Sequence, residues 1–335
     1  VQTRRCDIVC FVNGIPFIAI ENKRPTESLK KADSQLIGYQ NEENIPQLFH
    51  FVQLLLSMKR QEARYATVGT PPDAFSETGQ DWGLPVYRWD AMRADGFAWL
   101  HARGRRMADM FDGFRIDHLV GFYRTYNRPL DGEAPHFMPE SEDDQLRLGE
   151  DVIAAFGSAG AALIAEDLGT IPDFVRESVA RLQLPGYKVL RWERDWHAEG
   201  HPFHDPAHYV ASSLATSGTH DTDMMADWWD DASIDERAAL LAIPGLEDKA
   251  IAPDRPYDDV VREALLEVLL QSSSELVVFP LQDVFGWRDR INVPATVGPE
   301  NWSWACPIPV DTLMTDPTAR ARAETLRAMV DASER

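Results

Sequence analysis

The sequence predicts an α/β protein in which a small α/β segment precedes a longer run of parallel βα units. Three observations carry that reading. Beyond Gly69-Thr70-Pro71-Pro72, short apolar runs alternate with helical stretches. Ahead of that punctuation, Asn13-Gly14 separates two β-rich apolar runs, a strong local hairpin signal. The charge also changes abruptly: residues 1 to 70 hold nine Lys/Arg against seven Asp/Glu, and the remainder holds 24 against 47.

In chain order, IVCFV and IPFIAI form the expected hairpin. Leu29, Ala32, Leu36 and Ile37 then recur at helical spacing, and LFHFVQLLL (48–56) reads as a buried strand. In the second segment five strands are expected: DGFRID (112–117), AALIAED (161–167), YKVLRW (187–192), ATSGTHD (215–221) and ELVVFP (275–280). Helices are clearest at 95–110, 172–183 and 257–271, with Pro172 suited to a helix start.

At 335 residues and 44% hydrophobic content the chain can bury a full core. No apolar run reaches the ~20 residues of a membrane span, and the N-terminus lacks a signal peptide's apolar segment, so no membrane partner and a cytoplasmic home are expected. Cys6, Cys10 and Cys306 have no metal-ligand spacing and read as reduced. GLPVY and GSAG lack phosphate-loop spacing. The sequence carries no indication of oligomeric state.

Three of the expected strands finish in an acid: Asp117, Glu166 and Asp221. The C-terminal strand ends of a parallel α/β barrel form one pocket floor, so acids placed there converge. Each alone has a plainer explanation as a strand-to-loop turn or a helix cap, positions where Asp and Glu are common. Together they supply what retaining glycoside chemistry needs, a nucleophilic carboxylate and a second carboxyl group ~5 Å away. Arg115, two residues before Asp117, shares its strand face and favours an ionised nucleophile. Glu166 follows apolar ALIA, where partial desolvation favours a protonated acid, while Asp167 beside it fits a loop cap.

The strings PPDAFSETGQDWGLPVYRW, FDGFRIDHLVGFYR, LIAEDLGTIPDFV, LPGYKVLRW and SGTHDTD, in this order, resemble the amylomaltase (4-α-glucanotransferase) family. The resemblance implies a partial TIM (β/α)8 barrel of about five of the eight strands, spanning residues 69–335. It implies Asp117 as nucleophile, Glu166 as general acid/base and Asp221 as transition-state stabiliser, with Arg115 and His220 as supports. The implied reaction is transfer of α-1,4-glucan segments between maltooligosaccharides by double displacement, with no cofactor. Trp82 and Tyr87 offer flat faces for pyranose rings, with Trp302 a weaker candidate, and each equally suits core packing. His118 adjoins Asp117 and either contacts sugar or caps the strand.

In the first segment, Asp7, Glu21 and Lys23 form D-x13-E-x-K, a set able to hold Mg²⁺ and activate water against a phosphodiester. A strict two-residue turn at Asn13-Gly14 pairs Asp7 with Ile20 and leaves Glu21 out of register. A one-residue bulge or a longer loop is therefore required. RRCDIVCFVNGIPFIAIENKRP, QLIGYQ, NIPQLFHFVQLLLS and EARYATVG resemble the nuclease core of type I restriction enzyme R subunits. That resemblance implies a truncated α/β nuclease-like segment over residues 1–68. Its motif is Asp7, Glu21 and Lys23, with Gln35 and Tyr39 as the accessory pair, Mg²⁺ as cofactor and DNA as partner.

The expectation is thus a chimera of two unrelated fragments joined near Val68 to Pro71. Five strands cannot close an eight-stranded barrel. Three functions follow: glucan transfer, with turnover open to loss through truncation; a Mg²⁺-dependent DNA endonuclease fragment; and a non-catalytic glucan-binding remnant.

Overall fold

The structure is a computed structural model that describes residues 7–12, 15–23, 36, 54–59, 62–67, 86–129, 134–294, 296 and 298–335. The chain divides into two compact units, Val1–Tyr87 and Arg88–Arg335. The expected junction near 68–71 lies outside the described residues, as do the Asn13-Gly14 turn, Trp82, Gln35 and Tyr39.

The first unit contains a four-stranded sheet in the order β1 (Ile8–Val12), β2 (Ile15–Asn22), β3 (Leu54–Lys59), β4 (Glu62–Thr67). β1 and β2 are antiparallel, β2 and β3 parallel, and β3 and β4 antiparallel. The expected hairpin and the end of the 48–56 run appear as strands. β4 was not foreseen, because its Glu62-Ala63-Arg64 opening is poor in β-formers. Leu36 is helical and buried.

The second unit is built on a five-stranded sheet whose paired neighbours all run parallel. Its strands are β5 (Gly113–Ile116), β8 (Ala162–Ala165), β9 (Gly186–Val189), β10 (Ser213–Thr216) and β11 (Leu276–Val277), in that spatial order. Strand order follows chain order, as in a barrel wall wound by successive βα units. Each overlaps the expected run but is shorter, and β9 and β10 begin one and two residues ahead of it. YKVLRW leaves the sheet at Val189, and Leu190–Trp192 forms a 3₁₀ turn. ATSGTHD leaves it at Thr216, so Asp221 stands in a loop rather than at a strand end. The reason is local: the Thr216 hydroxyl donates to the carbonyl of Gly218 at 2.8 Å and bends the chain out of the ladder.

The helices are α1 (Trp89–Ala94), α2 (Ala98–Ala108), α3 (Val120–Tyr123), α4 (Glu142–Gly157), α5 (Asp173–Arg181), α6 (Met225–Asp231), α7 (Ile234–Leu241), α8 (Pro244–Glu247), α9 (Asp259–Leu270), α10 (Leu281–Phe285) and α11 (Pro317–Ala332). Between α3 and α4 lies a small hairpin, β6 (Thr125–Asn127) with β7 (His136–Met138). Caps follow the expected chemistry. Ser141 accepts the N–H of Asp144 at 3.2 Å ahead of three acids in the first turn of α4, and Asp258 accepts that of Val261 at 3.0 Å. Among the described residues, no helix is long and apolar enough to cross a membrane.

Two apolar clusters cover the sheet. Ile116, Leu163 and Ala165 pack with Leu148, Val152, Phe156 and Val175, while Leu190 and Ala215 pack with Trp229, Val261, Leu265 and Leu269. The first cluster includes a site of close approach. Gly149 lies inside α4, where glycine costs about 1 kcal/mol relative to alanine. A Cβ there would collide with the ring of Tyr123, which is fully buried and whose hydroxyl donates to Ser178 Oγ at 3.0 Å. Gly149→Ala is therefore expected to destabilise the unit by roughly 2 kcal/mol net despite the better helix former, read as a lower denaturant midpoint. A rise in the midpoint would show that the ring can move away.

Candidate active site

The floor of the candidate site follows from strand register. β5 and β8 pair through Ile116 and Ala165, so Asp117 and Glu166 are the next residues on two neighbouring parallel strands. Neighbouring backbones lie about 4.8 Å apart and residues paired in register point to the same face. The turn is tied together by Glu166. Its N–H donates to the Ile116 carbonyl at 2.9 Å, and its own carbonyl accepts the Leu119 N–H at 3.0 Å. Its carboxylate accepts the N–H of His118 at 2.7 Å and that of Leu168 at 3.3 Å. His118 takes a left-handed backbone (φ 47°), an unfavourable conformation for this residue, and so aims its N–H at Glu166.

Arg115 meets Asp117 at 2.8 Å (Nη1 to Oδ1), the same-face pair that the strand spacing anticipated. The Asp117 carboxylate is 77% exposed, open to a reactant. Tyr187, on β9, joins this group: the Arg115 guanidinium lies 5.5 Å over its ring. Burial pushes the Tyr187 hydroxyl pKa up; Arg115 opposes this, and the charges of Glu166 and Asp117 add to it. Asp167 caps the adjoining strand by accepting the Tyr187 N–H at 2.8 Å, the loop-cap role its position suggested. Gly186 is what allows that approach, since a Cβ there would stand 2.6 Å from Asp167 Oδ2.

The third acid belongs to a second cluster on the same C-terminal edge of the sheet. Asp221 Oδ1 accepts Asn292 Nδ2 at 2.6 Å, and Oδ2 lies 3.3 Å from His220 Nε2. Arg290 donates to the Asp221 carbonyl at 2.6 Å and pairs with Asp223. Trp302, largely exposed, brings its ring within 5.1 Å of His220. Beneath the loop, Asp283 is 1% exposed and accepts from both ends of it: the Ser217 hydroxyl at 2.5 Å and the Met225 N–H at 2.7 Å. Burial raises the Asp283 pKa, against the pull of Ser217, Met225 and Arg191. The buried Arg191 guanidinium reaches the Ser217 carbonyl at 3.5 Å, and its own pKa is lowered by burial.

Of the site residues expected from the sequence, Arg115, Asp117 and Glu166 lie together at the C-terminal ends of β5 and β8 and His220 lies beside Asp221, whereas Tyr187, Asp283, Arg290 and Asn292 were not foreseen. Arg290-x-Asn292 stands 69 to 71 residues from Asp221, and no local spacing announces such a partner. Tyr187 was within a recognised string and carried no distinguishing signal. Tyr87 is exposed and closes the first unit.

In the first unit, the β1–β2 register shifts by one residue between Cys10 and Phe11. This is the bulge that the spacing required. Ile8 pairs with Ile20, which brings Asp7 opposite Glu21. The Asp7 N–H donates to Glu21 Oε1 at 3.2 Å, and the Asn22 N–H donates to Asp7 Oδ2 at 2.8 Å. Lys23 Nζ meets Glu21 Oε2 at 2.9 Å, with Glu21 1% exposed.

Comparison with known proteins gives two matches. Residues 52–310 match the family model described as 4-alpha-glucanotransferase, and residues 1–74 match that of the type I restriction enzyme R protein N terminus. The chain is 35% identical over 242 residues to the chloroplastic/amyloplastic 4-alpha-glucanotransferase of Solanum tuberosum, covering 71% of this chain and 39% of that protein. It is 32% identical over 286 residues to the 4-alpha-glucanotransferase of Thermus thermophilus, covering 82% and 53%. The fold is similar to that of amylomaltase from Streptococcus agalactiae, solved in complex with acarbose, with a TM-score of 0.62 at 23% identity, covering 94% of this chain and 57% of that one. The chain therefore spans about two-fifths to half the length of the curated relatives it matches. By the match over residues 52–310 and by these relatives, it belongs to the 4-alpha-glucanotransferase family.

Proposed function

We propose that the second unit binds α-1,4-glucans and maltooligosaccharides and transfers glucan segments between them by retaining double displacement. The observation that carries this reading is the register that sets Asp117 and Glu166 side by side on β5 and β8. Neighbouring strand backbones stand about 4.8 Å apart, so this register is compatible with the ~5–5.5 Å carboxyl separation of retaining enzymes. Asp117 attacks the anomeric carbon while Glu166 protonates the departing chain's oxygen. The glucosyl–Asp117 ester then passes to the 4-hydroxyl of an acceptor glucan, whose proton Glu166 removes. Asp221, held by Asn292 and His220, stabilises the cationic transition state. Arg115 orients Asp117, and the His118 N–H orients Glu166. The test is incubation of the purified chain with maltotriose. Glucose together with longer glucans is the expected outcome, and glucose with maltose and no longer products would replace transfer by hydrolysis.

The first unit supports a second reading, nuclease chemistry on DNA, favoured by the bulge that aligns Asp7 with Glu21 beside Lys23. Two carboxylates fit Mg²⁺, which takes one or two such ligands and keeps several waters. Asp7 and Glu21 would hold it, and it would supply charge to activate water and stabilise a phosphodiester oxygen. Lys23 holds Glu21 in place by their ion pair. Plasmid cleavage that requires Mg²⁺ and falls at least tenfold in Lys23→Ala is expected; cleavage indifferent to Lys23 would remove this reading.

A further inference from the structure

We propose that the loop following β9, residues 193–204, carries an accessory platform for α-glucan chains centred on Trp196. The proposal rests on the glucan reading of the second unit and extends it to substrate length. Trp196 is 55% exposed, yet the loop that presents it is braced throughout. The loop is closed by a bridge between Arg194 and Phe203 and by the Asp195 N–H donating to the Pro202 carbonyl at 2.9 Å. The Asp195 carboxylate accepts the N–H groups of His197 and Ala198 at 3.0 and 3.2 Å.

Arg194 anchors the tryptophan. Its guanidinium lies 5.4 Å over the Trp196 ring and 3.9 Å over Phe203, while Nε donates to the Arg191 carbonyl at 3.2 Å and the head pairs with Glu236. Phe203 is itself buried against Trp228. The His201 ring stands 5.5 Å from the indole, tilted by 43°. A large ring held in a fixed orientation and still open to water loses little conformational freedom on binding. Such a ring suits a flat apolar partner with polar edges, and pyranose rings have that form, with C–H faces ringed by hydroxyls.

The surroundings narrow the ligand. Asp195, His197, Glu199 and His201 are exposed in the same loop and supply donors and acceptors for hydroxyls. The acids among them, within a unit rich in acids, disfavour a polyanion. The loop leaves the C-terminal end of β9, which lies in the sheet between β8, bearing Glu166, and β10, leading to Asp221. Trp192, also exposed, is at the start of that path. A chain that continues past the acids has this loop on the same edge of the sheet.

The experiment is calorimetric titration of wild type, Trp196→Ala and Trp196→Phe with maltotriose and with maltoheptaose. Trp196→Ala is expected to weaken maltoheptaose on the order of tenfold and maltotriose less than twofold, with Trp196→Phe retaining most of the longer sugar's affinity. The ring is exposed, so far-ultraviolet circular dichroism is expected to stay unchanged. Equal loss for both sugars, or no loss for either, overturns the platform alone. A wild-type chain that binds neither sugar overturns the glucan reading, and the platform with it.

Discussion

Asp117→Asn is expected to abolish the formation of longer glucans from maltotriose, lowering the rate on the order of 10⁴-fold or more, as loss of a covalent nucleophile does in other enzymes. An amide is nearly isosteric with the carboxylate but is far too weak a nucleophile to form the glycosyl ester. The fold should be almost indifferent. The side chain is 77% exposed and its ion pair is with a partly exposed Arg115. An exposed pair of this kind contributes at most about 1 kcal/mol. The two chains should therefore unfold at similar denaturant concentrations while differing in turnover. A variant that keeps transferring would remove Asp117 from the nucleophile's role. A folded wild type that binds maltooligosaccharide but makes no products would replace transfer by glucan binding, and the chain's short coverage of its relatives makes that comparison decisive.

Asp283→Ala is expected to destabilise the second unit by about 3–5 kcal/mol, the scale of breaking a buried charged network by removing one member. Three groups would lose their partner together: the Ser217 hydroxyl, the Met225 N–H and the opposing charge of buried Arg191. Asp283→Asn separates hydrogen bonding from charge, since its amide still accepts one of the two bonds, and it should cost less. The sign of the pH dependence follows from burial, which raises the folded carboxyl's pKa. Between the ordinary carboxylate value and the raised one, the folded state holds more protons than the unfolded state, so stability falls as pH rises through that window. Asp283→Asn should lack this contribution, and the two chains' denaturant midpoints plotted against pH should diverge upward from about pH 4. Parallel curves would show that Asp283 titrates as it does when unfolded. Hydrogen exchange at Met225 should also accelerate in Asp283→Ala, because that N–H loses its acceptor.

Much of the site was legible because strands alternate faces and end where their apolar run ends. Arg115 and Asp117 share a face by spacing alone, and Glu166 closes the short apolar run ALIA, which reads as a strand and forms β8. The same logic misplaced Asp221: the run ATSGTHD looks continuous, but the Thr216 hydroxyl bends the chain before it reaches the acid. In the first segment, spacing required a bulge to align Asp7 with Glu21 but could not place it, since any residue of the hairpin can host one. The structure places the shift between Cys10 and Phe11.

The sequence by itself determined the order of the elements and placed Asp117 and Glu166 at the ends of neighbouring strands, because hydrophobic periodicity and turn chemistry are local and written in consecutive residues. Only the tertiary structure decided which distant groups hold those acids. Asn292 reaches Asp221 across 71 positions, Asp283 clamps the Ser217 hydroxyl across 66, and Tyr187 lies beneath Arg115 because β9 lies beside β8. These pairings depend on how helices and strands stack, and a carboxylate's neighbour in space leaves no trace in the residues beside it.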